Sequence, residues 1–444
     1  MIKPGAMNKT ASFVFLYICF ILSLFSGITA KSGASNRPEK ISVDDRLSFI
    51  YQQNTASEIT VVRIFINGGK KAEKPGLGGL AFLTTRLCVE VPDRSKVKKM
   101  MDLASSFSTG VEGDHSVITV ECLSENLEDT LKIVTEILRK PLFSALRISH
   151  IKKNMEYRRK LEEDNSWELM HREYFNLFFG DMGYGGSIFG DKDSLKKIKK
   201  KDVVDFYDKY FNLSNMVISV SSDLNKEKMT GIIKSNFQLL PVGEEQRRIP
   251  PIQELKEVEK TTGREHTIKK DKTQALVSMG ALLPEISPDH FISAYMLEVL
   301  LGEGIGSRLW PLREVKNLAY RLQAKVTQME DAGVLTVCLE TDKSRKQKAF
   351  EALKEIMALL YKQGISKEEF SAVKIRCWSY FLRNNESKEK QAYTPGYFES
   401  IGLGFGFSET FQSQMKAIKL EDFNRYIKDV LKPERLVNMV IGAE

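Results

Sequence analysis

Apolar residues in this chain alternate in short runs and then recur every third or fourth position, and this succession appears twice. Alternating or continuous apolar runs at Leu47-Ser48-Phe49-Ile50-Tyr51 and at Ile59 to Ile66 read as strands, the second ending on Asn67-Gly68-Gly69. A helical pattern from about Gly78 to Val89 follows that turn, and longer ones run from Ile148 to Glu163 and from Ser166 to Phe179. Further on, Gln274 to Gly280 reads as a strand and His290 to Leu301 as a helix.

The recurrence has a register. Val117, in Ser116-Val117-Ile118-Thr119-Val120-Glu121-Cys122, matches Val334, in Gly333-Val334-Leu335-Thr336-Val337-Cys338, and each run leads into a charged amphipathic helix. Asp205-Phe206-Tyr207-Asp208-Lys209-Tyr210 matches Asp422-Phe423-Asn424-Arg425-Tyr426 at the same offset, and Asn215-Met216-Val217-Ile218 matches Asn438-Met439-Val440-Ile441 at an offset six larger. The pattern predicts a duplicated α+β unit, that is, two homologous α+β domains. The domains are expected at residues 31–240 and 273–444. Between them, 241–272 opens on Pro241 and Pro250-Pro251, continues polar and charged, and reads as a surface linker.

Composition adds little about fold and something about compartment. The 444 residues, 42% hydrophobic and 28% charged, suit a soluble protein of two or three domains. Residues 1–30 differ: Lys3 and Lys9 precede an apolar run from Phe13 to Phe25, then Ser26-Gly27-Ile28-Thr29-Ala30, which reads as a secretory signal cleaved after Ala30. Met7 is an alternative start and an uncleaved anchor the alternative fate. The expected localisation is secreted or periplasmic, with no stable membrane span after cleavage. The formal charge of +8 loses two lysines with that segment. The cluster at Lys196-Lys197-Ile198-Lys199-Lys200-Lys201 lacks interleaved aromatics and reads as a solvated helix face, so no nucleic-acid partner is expected. Cys88, Cys122, Cys338 and Cys377 show no C-x-x-C spacing; buried thiols are favoured over disulfides.

The stretch Gly79-Leu80-Ala81-Phe82-Leu83-Thr84-Thr85-Arg86-Leu87 carries the chemistry, through what it lacks. Together with Asn67-Gly68-Gly69, Lys74-Pro75-Gly76, the loop Tyr184 to Gly190 and Gly304-Ile305-Gly306-Ser307-Arg308-Leu309, it resembles the pitrilysin and insulinase family, whose inverted H-x-x-E-H motif binds zinc. The resemblance covers nearly the whole mature chain; it implies that each domain is a mixed, largely antiparallel sheet with helices packed on one face, the two forming half of a clamshell, and it puts Phe82, Thr85 and Arg86 where that motif has its two histidines and its base. A phenyl ring cannot donate to a metal, a guanidinium repels it, and a hydroxyl is a poor base. The family's third ligand, a glutamate, falls near Glu156 or Tyr157. None of His115, His150, His171, His266 and His290 forms a helical i, i+4 pair, and His150 and Glu156 share a helix face poorly, so no metal and no cofactor are expected in this chain.

The second half reads differently. Arg313 and Tyr320 have the sevenfold spacing that the resemblance assigns to an arginine and tyrosine reaching a substrate carbonyl from the far side of the chamber, where they would stabilise its oxyanion. A surface ion pair of Arg313 with Glu314 or Asp331, and a Tyr320 that only packs, is the plainer reading. Two-chain members of the family divide these parts. The implied function is therefore a non-catalytic, metal-free subunit of a secreted or periplasmic zinc endopeptidase. It would form a heterodimer with a zinc-bearing homologue, close the chamber and supply Arg313 and Tyr320 in trans to a peptide substrate. It has no expected activity alone; zinc belongs to the partner. The alternative is a peptide- or protein-binding scaffold with no part in proteolysis. An autonomous enzyme has no Ser-His or Cys-His constellation to rest on. By the same resemblance, substrate adds as a strand to a sheet edge, here near Ser108 to Val111.

Overall fold

A computed structural model describes residues 37–91, 94–180, 183–243 and 265–442. The expected signal segment and most of the expected linker lie outside them. Two sheets organise the chain. The first contains β1 (Glu39–Ser42), β2 (Ser48–Gln53), β3 (Ile59–Ile66), β4 (Ser106–Val111), β5 (Ser116–Leu123) and β6 (Met216–Ser222), in the spatial order β1-β2-β6-β3-β5-β4. The second contains β7 (Glu265–Ile268), β8 (Gln274–Leu283), β9 (Arg321–Gln328), β10 (Gly333–Asp342) and β11 (Val437–Ile441), in the order β7-β11-β8-β10-β9. Each has one parallel pair, β2 with β6 and β7 with β11, and is otherwise antiparallel. This is the two-domain α+β arrangement that the repeated pattern implies.

The ladders test the repeat residue by residue. Ile66 pairs with Ser116 and Leu283 with Gly333, so β3 and β5 map onto β8 and β10 at the offset read from the sequence. The third match fails. Arg63 pairs with Ser219, and its equivalent Gly280 pairs with Val437, so Asn438 stands in the place of Val220 and not of Asn215. Similar apolar strings slid past each other because a strand has no internal marker of register.

Most helices of each half cover one face of its own sheet. The first half contains α1 (Leu80–Leu87), α2 (Arg94–Asp102), α3 (Leu127–Arg139) and α4 (Ala145–Asp164), followed by α5 (Ser166–Phe179), α6 (Lys192–Lys197), α7 (Lys200–Tyr210) and α8 (Lys226–Phe237). The second half has α9 (Pro288–Gly302), α10 (Trp310–Glu314), α11 (Lys346–Gln363), α12 (Lys367–Arg383), α13 (Lys388–Ser400), α14 (Phe407–Ala417) and α15 (Leu420–Val430). Local chemistry starts many of them. Ser144, Asn165, Ser287, Ser366 and Ser387 each accept a backbone N–H of the first turn. Asp191 and Ser194 complete a capping box.

The opposite face of each sheet is covered by a helix from the other half. The Tyr174 hydroxyl of α5 lies 3.0 Å from Ser278 Oγ and donates to Val437 O, both in the second sheet, and a Cβ on Gly280 would sit 2.3 Å from the Tyr174 ring. In return, α13 lies on the first sheet: Asn54 donates to Gln391 at 2.8 Å, Lys388 to Ile59 O at 2.8 Å, and a Cβ on Gly396 would meet the Phe65 ring at 2.4 Å. Glycine is required at both places because ring and backbone touch. Each sheet is thus buried on both faces, which is why its strands read as near-continuous apolar runs. Cys88, Cys122, Cys338 and Cys377 are all buried and unbonded, as favoured from their spacing.

Candidate functional site

The helix α1 is fixed before it begins. Gly79 adopts φ +90°, and a Cβ there would stand 3.0 Å from Gly190 N and from the Met155 methyl, so only glycine lets the chain pass under the Tyr184 to Gly190 loop. Glu73 reaches forward to accept the Ala81 N–H at 2.9 Å, satisfying a donor that the first helical turn leaves open. Burial raises the Glu73 carboxyl, and Lys70 Nζ, 3.6 Å away, opposes that shift. Lys70 also donates to Ser187 O at 3.3 Å, which ties the loop to the helix start.

What α1 then displays is a wall without donors. Phe82 is 7% exposed and meets Phe189 edge to face, ring centroids 4.9 Å apart. Thr85 is fully buried, donating to Ala81 O at 2.8 Å with Ser116 Oγ 3.0 Å away, so its hydroxyl is spent inside the core. Arg86 turns outward to Glu90 at 3.3 Å. Phe82 and Arg86 line a pocket of about 590 Å³ with Glu90, Phe189 and one face of α4.

That α4 face consists of His150, Ile151, Asn154, Tyr157, Arg158 and Leu161, spaced at three and four as a helix requires. Glu156 is exposed and falls on roughly the opposite side of the helix. Of the two positions considered for a third ligand, the phenol Tyr157 enters the pocket and the carboxylate does not. His150 and Glu90 remain, but among the described residues no three His, Cys, Asp or Glu side chains are arranged to hold a metal ion. Zinc does not fit the residues present: a ring, a guanidinium and a phenol occupy the positions of its ligands.

Arg313 and Tyr320 are placed elsewhere, lining neither this pocket nor the adjoining groove around Trp167 and Arg321. Arg313 lies in the last turn of the short helix α10, half exposed, with Nε 3.4 Å from Glu314; Asp331 pairs instead with Lys71 at 2.7 Å. Tyr320 is 54% exposed and its hydroxyl donates to Asp342 at 2.8 Å, which raises the phenol pKa. Neither side chain meets Phe82 within the chain. Ser108 to Val111 belong to β4, the edge strand of the first sheet.

Sequence reasoning missed the junction where the two halves meet. The turn between β4 and β5 faces the turn between β9 and β10: the Tyr184 hydroxyl donates to Asp114 at 2.5 Å, and Glu330 N to its other oxygen at 3.0 Å. Lys71, nearly buried, ties in Asp331 and Glu330. Burial pushes the Asp114 carboxyl up to about 6, although the Tyr184 hydrogen bond opposes the shift. His115, next in sequence, is buried between Phe65 and Tyr397 with neither ring nitrogen bonded, and burial pulls it down to about 4. The repeat offset, which pairs Asp114 with Asp331, was the signal that could have found this contact.

Fold and site together define a peptidase-type scaffold whose metal position carries no metal donors. Comparison with known proteins agrees. The family model described as insulinase (peptidase family M16) matches residues 48–191, and that described as peptidase M16 inactive domain matches 197–377. A "Non-peptidase homolog YmxG" of Helicobacter pylori is 24% identical over 418 residues, covering 92% of this chain and 95% of its own. A "Zinc protease PqqE" of the same organism is 24% identical over 386 residues, covering 83% and 85%. Among solved structures, a peptidase M16 inactive domain from Pseudomonas fluorescens superposes with a TM-score of 0.81 at 20% identity, over 92% of this chain and 98% of that one. The first half of the periplasmic protease PqqL from Escherichia coli gives 0.73 at 14%, over 93% and 94%. The chain belongs to the insulinase (M16) family and is a member without the H-x-x-E-H zinc site. Among the described residues no helix is long and apolar enough to cross a membrane.

Proposed function

We propose that this chain is the metal-free subunit of a two-chain insulinase-family endopeptidase, closing the chamber over a peptide bound at a partner's zinc and offering Arg313 and Tyr320 to it. The supporting observation is the contrast between the two ends of the fold. Phe82, Thr85 and Tyr157 are built into packing or pocket wall where a metal would need donors, while Arg313 and Tyr320 stay exposed, each paired with a neighbouring carboxylate that a substrate oxyanion could displace. The partner is a zinc-bearing homologue, and the compartment outside the cytoplasm follows from the sequence of residues 1–30.

Co-purification from the native host with zinc analysis tests the pairing: metal is expected in the complex and not in this chain alone. Reconstituted activity should fall at least tenfold in both Arg313→Ala and Tyr320→Phe, with kcat carrying the loss. Unchanged activity would remove the in-trans role, and recovery as a lone monomer would favour the alternative, a peptide-holding scaffold. That alternative is supported by the pocket, which remains open beside the position of the missing metal.

A further inference from the structure

The pocket between α1 and α4 keeps two arginines, and they are held differently. Arg86 is committed to Glu90, whose other oxygen lies 3.8 Å from Arg147, so that carboxylate is already neutralised. Arg158 rests against two aromatic rings, its guanidinium carbon 5.8 Å from the Phe82 centroid and 5.7 Å from that of Phe189, and it forms no ion pair among the described residues. A guanidinium placed over aromatic rings without a carboxylate partner keeps N–H donors to offer, and two parallel N–H bonds to one carboxylate are what its fork fits. The remaining wall mixes an apolar side, Phe82, Phe189, Ile151 and Leu161, with polar groups of His150, Asn154 and Tyr157. Glu168 also lines the pocket and disfavours a ligand carrying several negative charges.

We propose that this pocket binds a peptide carboxylate, with Arg158 taking both oxygens and an apolar side chain of the same peptide seated against Phe82 and Phe189. The volume of about 590 Å³ accommodates one or two residues of an extended peptide end. The proposal is independent of the partner reading, because Arg313 and Tyr320 do not line the pocket and no second subunit is needed.

The test is fluorescence anisotropy on the full secreted chain with an N-terminally labelled tetra-alanyl-phenylalanine, compared with its C-terminal amide. The free acid is expected to bind at least tenfold more tightly, the order of effect of a charge-assisted bidentate pair. Arg158→Ala should bring the acid to the level of the amide, and Arg158→Lys, which keeps the charge and loses the fork, should fall between. Arg158 is exposed and contributes only its ring contacts, so both variants are expected to stay folded with a melting point lowered by at most about 2–4 °C. An amidated peptide with an internal aspartate separates the sources: binding like the free acid assigns an acidic side chain, and binding like the amide assigns the chain terminus, both through Arg158. Equal binding of acid and amide, indifference to Arg158→Ala, or no saturation up to about 1 mM would each overturn the proposal.

Discussion

Rebuilding the metal site distinguishes this geometry from the sequence alone. Phe82 and Arg86 stand one turn apart on α1 and face the same pocket as Tyr157, whereas Glu156 points away. The variant F82H/R86H/Y157E is therefore expected to bind zinc, and F82H/R86H, which keeps the native Glu156, is not. The cost of the three changes can be estimated from what each side chain does. Phe82 gives up an edge-to-face contact with Phe189 and its seat under Arg158, about 1–2 kcal/mol. The Arg86 to Glu90 pair is partly exposed and worth about 0.2–1 kcal/mol. Tyr157 is 62% exposed, and replacing it costs about 0.5 kcal/mol. The apoprotein thus loses about 2–3 kcal/mol, which zinc at a hundredfold excess over its Kd would offset by about 2.7 kcal/mol. Metal content after dialysis and the melting point with zinc or a chelator provide the assay. Zinc uptake by F82H/R86H equal to that of the triple variant, and retained when Glu156 is also changed to Gln, would assign the third donor to His150 or Glu90 and refute the need for one at Tyr157; loss of that uptake with Glu156→Gln would refute the placement of Glu156, and no uptake by either variant would refute the shared pocket.

Two further outcomes follow from the buried junction and the exchanged helices. In His115→Leu, loss of ring contacts with Phe65 and Tyr397, about 0.5–1.5 kcal/mol each, roughly balances relief of unbonded buried nitrogens, about 1–3 kcal/mol, so stability at pH 7 changes little. The difference lies in acid: the folded imidazole pKa is depressed, so its contribution is intact above pH 6.5 and is lost as pH falls toward 4. The wild type should lose about 3 kcal/mol more than the variant over that range in urea unfolding. Asp114 shifts the opposite way but is common to both proteins and cancels; parallel pH profiles would count against a buried neutral His115. Gly280→Ala should destabilise by about 1–3 kcal/mol although alanine suits a strand better, because its Cβ meets Tyr174, and Tyr174→Leu should relieve part of that cost. A neutral Gly280→Ala would show that α5 does not press on the second sheet.

Much of the fold was legible because strands and helices impose periods that the chain repeats. Val117 and Val334 lie in equivalent strands at the offset read from the sequence, and the missing donors at Phe82, Thr85 and Arg86 needed only side-chain chemistry. Register failed at Asn215 and Asn438, where one apolar strand end resembles another. The exchange of α5 and α13 left a weaker trace. Continuous apolar runs in β3 and β8 imply that both sheet faces are covered, but nothing in a strand's own sequence says which helix covers the second face. The choice of Tyr157 over Glu156 was available in principle: the three-four spacing from His150 to Leu161 marks the pocket face once one member is placed, and only the fold places it.

The packing around Phe82 argues against simple decay of a metal site. Removing ligands from a buried site leaves polar neighbours without partners, and such groups cost about 1–3 kcal/mol each. Here the Thr85 hydroxyl has two partners, Glu73 still caps α1 while paired with Lys70, and Phe82 fills its position against Phe189 with Arg158 laid over both rings. These contacts pack the α1 wall without a metal, so folding of this half does not depend on zinc. The same packing leaves Arg158 without an ion pair among the described residues, at the aromatic side of the pocket. A pocket with this lining has no place for a cation at Phe82 and Arg86, and the one cation in it without an ion pair among the described residues, Arg158, is the group through which the proposed carboxylate would bind.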